Sequence, residues 1–182
     1  MYFDTIIAGF GGQGVMFIGN LLAQAAIEEE KNTTYMPVYG VEMRGGTANC
    51  TVVVSDEEVG SPIIHHPVSV IAMNLPSMEK FGPRLRKKGL LLANASLIDM
   101  EQAAYKGVKI VGVPAIELAR EATGRDQLAN MIMLGALAAQ SGAVKLESIV
   151  NALEHNLPKR LHKMLPVNKL ALEAGAAFMS KA

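Results

Sequence analysis

A glycine-rich turn near the start of the chain constrains its fold more than any other feature. The run 3–8 is short, apolar and partly β-branched, as a buried strand should be. Gly9, Gly11 and Gly14 follow it in the spacing G-x-G-x-x-G, and residues 15–30 then carry apolar side chains at helical spacing. A strand, a glycine turn and a helix in this order open the α/β folds that bind ligands at the end of a parallel sheet.

The rest of the chain alternates predicted strands and helices. We predict further strands at 33–39, 47–54, 68–73, 89–93 and 108–113, and helices at 76–88 (one or two short ones), 99–105 (short), 115–122, 128–140, 146–157 and 167–179. This order predicts an α/β three-layer sandwich with a Rossmann-like, mostly parallel sheet. A short glycine loop without a helix joins 33–39 to 47–54, which predicts a local antiparallel strand pair. We expect one domain over residues 1–182.

The composition excludes several classes of protein. Of the 182 residues, 50% are hydrophobic and 19% are charged, which excludes a disordered chain. Seventeen basic and seventeen acidic residues cancel, so we expect no nucleic-acid partner and no membrane partner. A single cysteine excludes a disulfide scaffold and a self-contained iron–sulfur cluster. No apolar stretch is long enough to cross a bilayer, and the start lacks a basic leader, so we expect a cytoplasmic protein.

The glycine turn is the first candidate binding site. Glycines let the backbone approach a ligand closely, and the free N–H groups and dipole of a helix start favour a phosphate. A classical dinucleotide site also needs an acid about 20 residues further on, where Tyr39 and Gly40 stand instead. Gln13 and the additional Gly12 are also unusual in such a turn. Two alternatives stay open: glycines that serve only close packing of helix against strand, and ordinary NAD binding.

The loop Glu42-Met43-Arg44-Gly45-Gly46 is the second candidate site. Its two glycines expose backbone N–H groups beside the Arg44 guanidinium, which suits a phosphate or a carboxylate, and Glu42 can orient that guanidinium. The alternative is an ordinary hairpin turn with a salt-bridged arginine. If 33–39 is a parallel neighbour of the first strand, both loops lie at one edge of the sheet and face one anionic ligand.

The remaining side chains do not form a complete catalytic set. The sequence shows no Ser-His-Asp arrangement, no paired carboxylates and no H-E-x-x-H motif, so we expect no catalytic residue and no metal site. Cys50 lies inside a predicted strand and is interpreted as an inert core thiol. The basic run 84–88 predicts a solvated helix end or, alternatively, a docking site for an acidic partner.

Three motifs in this order resemble one family. They are Gly9-Phe10-Gly11-Gly12-Gln13-Gly14, then Tyr39-Gly40-Val41-Glu42-Met43-Arg44-Gly45-Gly46-Thr47-Ala48-Asn49-Cys50, and finally Asn130-Met131-Ile132-Met133-Leu134-Gly135-Ala136. Together they resemble the gamma subunit of 2-oxoacid:ferredoxin oxidoreductases, the enzymes for pyruvate, 2-oxoglutarate and ketoisovalerate. The match covers nearly the whole chain.

The resemblance implies a subunit of an enzyme that converts a 2-oxo acid, coenzyme A and oxidised ferredoxin into acyl-CoA, carbon dioxide and reduced ferredoxin. It favours 2-oxoglutarate or ketoisovalerate as the 2-oxo acid. It implies that alpha, beta and ferredoxin-like delta subunits hold thiamine diphosphate, Mg²⁺ and the iron–sulfur clusters, and that this chain alone holds none of them. It further implies that the chain helps close the active site and binds coenzyme A. The residues implied in binding are Gly9, Gly11, Gly12, Gln13, Gly14, Glu42, Arg44, Gly45, Gly46 and Asn130.

Two other functions stay open beside this one. A free-standing dinucleotide-dependent oxidoreductase would bind NAD(P) or a flavin saturably on its own. A purely structural scaffold within the same assembly would tolerate Arg44→Ala with a change in stability only. The hydrophobic composition, with eleven methionines and no tryptophan, fits either a well-filled core or a surface covered by partner subunits. Because a partner-facing apolar surface would otherwise meet water, we expect a homodimer when the chain is isolated.

Overall fold

The computed structural model describes residues 1–39 and 46–181, so Glu42, Arg44 and Gly45 of the second candidate loop lie outside the described residues. The strands are β1 (Tyr2–Phe10), β2 (Asn32–Tyr39), β3 (Thr47–Ser55), β4 (Ser69–Ala72), β5 (Leu90–Asn94) and β6 (Lys109–Val113). The helices are α1 (Val15–Glu28), α2 (Leu75–Phe81), α3 (Ala115–Thr123), α4 (Ala129–Ser141), α5 (Leu146–Asn156) and α6 (Leu165–Met179).

The strands form one sheet in the order β2-β3-β1-β4-β5-β6. Strands β1, β4, β5 and β6 are parallel, whereas β3 is antiparallel to both of its neighbours, β1 and β2. The predicted α/β class, the mostly parallel sheet and the antiparallel pairing near the second loop are confirmed.

Strands β1 and β2 are not neighbours, because β3 lies between them. The sequence argument for two loops at one edge required β1 and β2 to be parallel neighbours, and this requirement is not met. The strand ends that flank the second loop still lie at that edge, because two reversals of direction leave β2 running the same way as β1. Tyr39 pairs with Ala48, and Thr47 pairs with Phe10, so the ends of β1 and β2 and the start of β3 share one edge.

The larger core lies on the face of the sheet that α1 and α4 cover. Helix α1 packs on β1, β2 and β3, and α4 packs on β5, while α5 and α6 pack outside them on α1 and α4. Every residue from 129 to 138 is buried, as expected of a helix that is apolar on all sides. Gly135 and Gly175 sit at the crossing of α4 and α6, where a Cβ on either residue would lie 2.0 Å from a carbonyl oxygen of the other helix. Glycine is therefore the residue that lets these two backbones meet.

A smaller core fills the opposite face of the sheet. Ile6, Val70 and Leu91 pack there against Met78 and Phe81 of α2. Helices and short 3₁₀ turns on both faces of the sheet make up the predicted three layers.

Local differences from the predicted elements have local causes. The first helix ends at Glu28 and does not reach residue 30, because Glu30 adopts a non-helical φ of +57°. The predicted helix 99–105 is only a 3₁₀ turn, Met100–Gln102, and α2 ends at Phe81, just before Pro83. The sequence did not predict the 3₁₀ segment Lys159–Met164, which follows Pro158.

Candidate functional site

Two of the three motif glycines are required by packing. Gly9 is still a strand residue, and a Cβ there would lie 2.7 Å from Gln13 Oε1 and 2.9 Å from Val15 Cγ1. Gly14 has a φ of +72°, and a Cβ there would lie 2.2 Å from Asn130 Nδ2. Gly12 has a φ of +101° with open space around it. The packing alternative thus accounts for Gly9 and Gly14, and backbone conformation accounts for Gly12.

The Gln13 side chain ties the turn to the ends of two strands. Its Oε1 accepts hydrogen bonds from Phe10 N at 2.7 Å and from Asn74 Nδ2 at 2.8 Å. Its Nε2 donates to Met73 O at 3.4 Å. Gln13 therefore holds the carboxyl ends of β1 and β4 together, so its unusual presence in the turn has a structural reason.

The turn keeps fewer free amides than the sequence predicts. Gly11 N donates to Gly46 O at 3.0 Å, and Gln13 N donates to Phe10 O at 3.1 Å. Among the described residues, the amides of Gly12 and Gly14 have no backbone acceptor, and no side chain caps α1. Of the free N–H groups expected in the turn, those of Gly12 and Gly14 and the uncapped start of α1 are therefore left for an anion. The Gly11–Gly46 bond also brings the end of the second loop against the turn.

A cleft with a volume of about 190 Å³ opens beside the turn. It lies where the carboxyl ends of β1, β4 and β5 meet the starts of α1, α3 and α4, the usual ligand position in an open α/β sheet. Its walls are mainly apolar side chains and carboxamides. The lining residues are Gly12, Gln13, Met73, Asn94, Leu97, Ile116, Asp126, Gln127, Ala129 and Asn130.

Asp126 is the one ionised side chain among these lining residues. Arg120 donates to its carboxylate from Nε at 2.9 Å and from Nη2 at 2.7 Å. These hydrogen bonds hold the pKa of Asp126 below its usual value, so the carboxyl stays ionised and paired. The cleft therefore presents dipoles rather than net charge, which suits the uncharged part of a ligand, while the start of α1 suits a phosphate.

Asn130 is the predicted binding residue that the structure places best. It belongs to the first turn of α4, is 7% exposed, and its Nδ2 occupies the space above Gly14. Its Oδ1 accepts from Met131 N at 2.9 Å. The first and third sequence motifs, more than 100 residues apart in the chain, thus meet through Gly14 and Asn130.

The sequence analysis missed Asn74 and Asn94. Asn74 lies just after the buried parallel strand β4, and Asn94 is the last residue of the buried parallel strand β5. Asn94 donates from Nδ2 to Met73 O at 3.4 Å. A polar residue at the end of a buried strand was the signal that could have identified both, because such ends meet at one edge of a parallel sheet.

The other candidate side chains do not join the site. Cys50 is fully buried, its Sγ donates to Val15 O at 3.5 Å, and burial raises the pKa of the thiol to about 12, which supports the interpretation as an inert core thiol. His65 and His66 are exposed in the connection between β3 and β4. Across the described residues, no group of three His, Cys, Asp or Glu side chains is arranged to hold a metal ion. Nor does any described helix combine the length and apolar character needed to span a membrane.

The fold and the cleft define a class: an open α/β sheet protein with a glycine turn and a ligand cleft at the carboxyl ends of its parallel strands. Comparison with known families narrows this class. Residues 4–178 match the family described as pyruvate ferredoxin/flavodoxin oxidoreductase. The chain belongs to this family, and the resemblance carried by the three motifs is confirmed.

Individual relatives agree with this assignment. The chain is 40% identical to ketoisovalerate oxidoreductase subunit VorA of Methanothermobacter marburgensis over 96% of its own length, but it spans only 36% of that relative. It is 31% identical to 2-oxoglutarate synthase subunit KorC of Methanothermobacter thermautotrophicus, over 93% of this chain and 90% of that one. The crystal structure of a keto/oxoacid ferredoxin oxidoreductase gamma subunit from Geobacter sulfurreducens superposes with a TM-score of 0.84 at 25% identity, over 99% of both chains.

Proposed function

We propose that this chain is the gamma subunit of a cytoplasmic 2-oxoacid:ferredoxin oxidoreductase and forms one gamma-type domain over residues 1–182. The match of residues 4–178 to the family carries this proposal. The full-length likeness to a gamma subunit supports it. Tyr39 ends β2 where an NAD-binding fold would carry an acid, so the free-standing dinucleotide alternative has no comparable support.

The proposed role of the chain is to bind coenzyme A and to help close the active site. Thiamine diphosphate, with Mg²⁺, supplies the carbanion chemistry when bound, and we assign it and the iron–sulfur clusters to alpha, beta and delta subunits. Those clusters would supply the route for the two electrons to ferredoxin. This chain contributes binding and orientation, and it covers the site from water.

The cleft supplies matching chemistry for the parts of coenzyme A. The free amides of Gly12 and Gly14, at the positive end of α1, suit a phosphate, and Arg44 is the cation that the sequence assigns to it. The apolar wall near Leu97 and the carboxamide of Asn130 suit the uncharged pantetheine arm or base. Each half of the site is thus suited to a chemically matching part of the ligand.

For the 2-oxo acid we propose ketoisovalerate first and 2-oxoglutarate second. The relative named for ketoisovalerate is 40% identical to this chain, and the relative named for 2-oxoglutarate is 31% identical. Comparing the kcat/KM of the assembled enzyme for ketoisovalerate, 2-oxoglutarate and pyruvate tests this order. A clear preference for pyruvate would contradict it.

A charge placed on the cleft wall tests the coenzyme A assignment. Leu97 lines the cleft and is 50% exposed, so Leu97→Glu should fold normally and set a carboxylate against the uncharged part of coenzyme A that this wall suits. Removing water from that carboxylate at a partly buried site costs about 1–2 kcal/mol, so the KM for coenzyme A should rise about tenfold in the assembled enzyme.

The matched control is Leu170→Glu. Leu170 is 47% exposed, lies on α6 and does not line the cleft, so its variant should leave the KM for coenzyme A unchanged. If both variants behave alike, coenzyme A does not use this cleft.

A further inference from the structure

The edge of the sheet opposite the cleft separates charges by sign. We call it the distal edge: it is formed by the starts of β1, β2, β4, β5 and β6 and by the end of β3. Exposed acids flank the β2–β3 side and exposed lysines flank the β5–β6 side. Six of them lie in the turns at this edge and outside the ion pairs of the described chain: Glu30, Glu57, Glu58, Lys87, Lys88 and Lys106.

Backbone contacts fix the two groups to their places on this edge. Glu57 and Glu58 follow the last residue of β3, and Glu57 N donates to Ser55 Oγ at 3.0 Å. On the other side, Lys88 N donates to Gly107 O at 2.7 Å, which holds the turn before β5 against the turn before β6. The lysines on these two turns therefore form one cluster.

None of the six side chains is neutralised by another described residue. The ion pairs of the described chain use other groups. The two arginines next to the lysine cluster are already engaged: Arg86 Nη2 donates to Asp4 Oδ2 at 3.2 Å, and Arg84 Nη2 donates to Ile64 O at 2.7 Å. The acidic and the basic halves are thus available to a partner.

The strand order makes this edge complementary to itself. The centre of six strands lies between β1 and β4, so β3 and β5 lie one and a half strand spacings on either side of it. With about 4.8 Å per strand, the acids after β3 and the lysines before β5 lie about 7 Å from the centre. By the same spacing, Glu30 before β2 and Lys106 before β6 lie about 12 Å from the centre. A two-fold axis normal to the sheet at this centre would place each acidic half opposite a basic half.

We propose that the distal edge is a two-fold interface with a second copy of this chain. An isologous contact requires a self-complementary surface, and this edge is one. At the centre of the edge, the side chain of Tyr2 is half exposed and supplies an apolar contact between the two charged halves. The acidic half and the net charge of zero disfavour a nucleic acid or an anionic lipid surface as the partner. Because the cleft lies at the other end of the strands, both clefts of such a dimer stay open.

Salt dependence is the first test. Sedimentation equilibrium of the full chain should show a dimer at about 0.1 M NaCl. At about 1 M NaCl the dissociation constant of the dimer should be at least about tenfold higher, because the Debye length falls from about 10 Å to about 3 Å. A monomer at about 0.1 M NaCl and at tens of micromolar chain, or a dimer that salt does not weaken, would overturn the proposal.

Charge reversal is the decisive test. The variants Lys87→Glu/Lys88→Glu and Glu57→Lys/Glu58→Lys set like charges against each other in both halves, so each alone should dimerise at least about tenfold more weakly at low salt. An equimolar mixture of the two should form a heterodimer, because each half of one again opposes the other sign in its partner. The chain with all four reversals should regain the wild-type dimer.

The matched control is Lys159→Glu/Lys163→Glu, which reverses two exposed lysines on a 3₁₀ segment outside the distal edge. It changes the net charge by the same amount as the basic-half variant and should leave dimerisation unchanged. Equal weakening by the control, or failure of the mixture to form a heterodimer, would refute the distal edge as the interface.

Discussion

Two separate requirements make glycine the suitable residue at position 14. Its φ of +72° favours glycine, and its missing Cβ leaves room for Asn130 Nδ2. The turn and the start of α4 are therefore fitted to each other, and the cleft between them depends on this contact.

The first prediction separates these two requirements. Gly14→Ala should lower the free energy of unfolding by about 1 kcal/mol for backbone strain and by roughly a further 1–3 kcal/mol for displacing Asn130. The control is Gly124→Ala, whose φ of +70° is almost the same but whose Cβ would meet no atom within 4 Å. Urea titrations in which both variants lose the same stability would show that the Asn130 contact does not matter.

The second prediction concerns Arg44 and distinguishes a binding role from a scaffold. Losing a charge-assisted contact costs about 1.5–3 kcal/mol, so Arg44→Ala should raise the KM for coenzyme A, or lower turnover, by roughly 10- to 100-fold in the assembled enzyme. Steady-state kinetics over a range of coenzyme A concentrations measures both. Constants within about twofold of wild type in a normally assembled variant would leave Arg44 a structural residue.

At the scale of elements, Glu29 joins the end of α1 to the start of α5. Its carboxylate accepts hydrogen bonds from Lys31 Nζ at 2.8 Å and from Lys145 N at 2.6 Å. Burial opposes ionisation of this group, but the hydrogen bonds from Lys31, Lys145 and Ser148 outweigh burial, so the pKa of Glu29 lies below its ordinary value. A side chain outside α5 thus satisfies the amide that precedes that helix.

The third prediction follows from the direction of that pKa shift. A lowered pKa in the folded state contributes stability above the ordinary glutamate pKa of about 4.3, and this stability is lost as the pH falls through the folded value. Glu29→Gln should therefore cost about 1–3 kcal/mol of unfolding free energy at neutral pH, and its difference from wild type should shrink below about pH 4. Glu154→Gln, at an exposed position on α5 outside the ion pairs of the described chain, is the control. A deficit for Glu29→Gln that is independent of pH would contradict the assigned role.

At the scale of the whole molecule, the sequence predicted the elements better than their arrangement. Apolar periodicity and glycine turns located every strand, because those signals are local. The position of β3 between β1 and β2 was not predictable in the same way, since a run of strand residues does not specify its neighbours. The crossing of Gly135 with Gly175 was hidden for a related reason: the two glycines are far apart in sequence and meet only in the fold.

In the candidate site, too, local features could be predicted from the sequence and contacts between distant segments could not. The glycine motif was visible, but the use of the Gly11 and Gln13 amides within the protein depends on Gly46 and Phe10 and has no sequence signature. Asn74 and Asn94 carry only the weak signal of a polar residue at the end of a buried strand, and it is the pairing of the parallel strands that brings them beside the turn. A family resemblance reached Asn130, which no local pattern singles out.

The central claim is that this chain is the gamma subunit of a 2-oxoacid:ferredoxin oxidoreductase that needs its partners for chemistry. The most direct measurement is ferredoxin reduction driven by ketoisovalerate or 2-oxoglutarate with coenzyme A, using co-expressed alpha, beta and delta subunits with and without this chain. We predict no turnover by the chain alone, turnover with formation of acyl-CoA by the complete set, and loss of that activity when this chain is omitted. Turnover by the isolated chain, or an unchanged rate and KM for coenzyme A without it, would contradict the account.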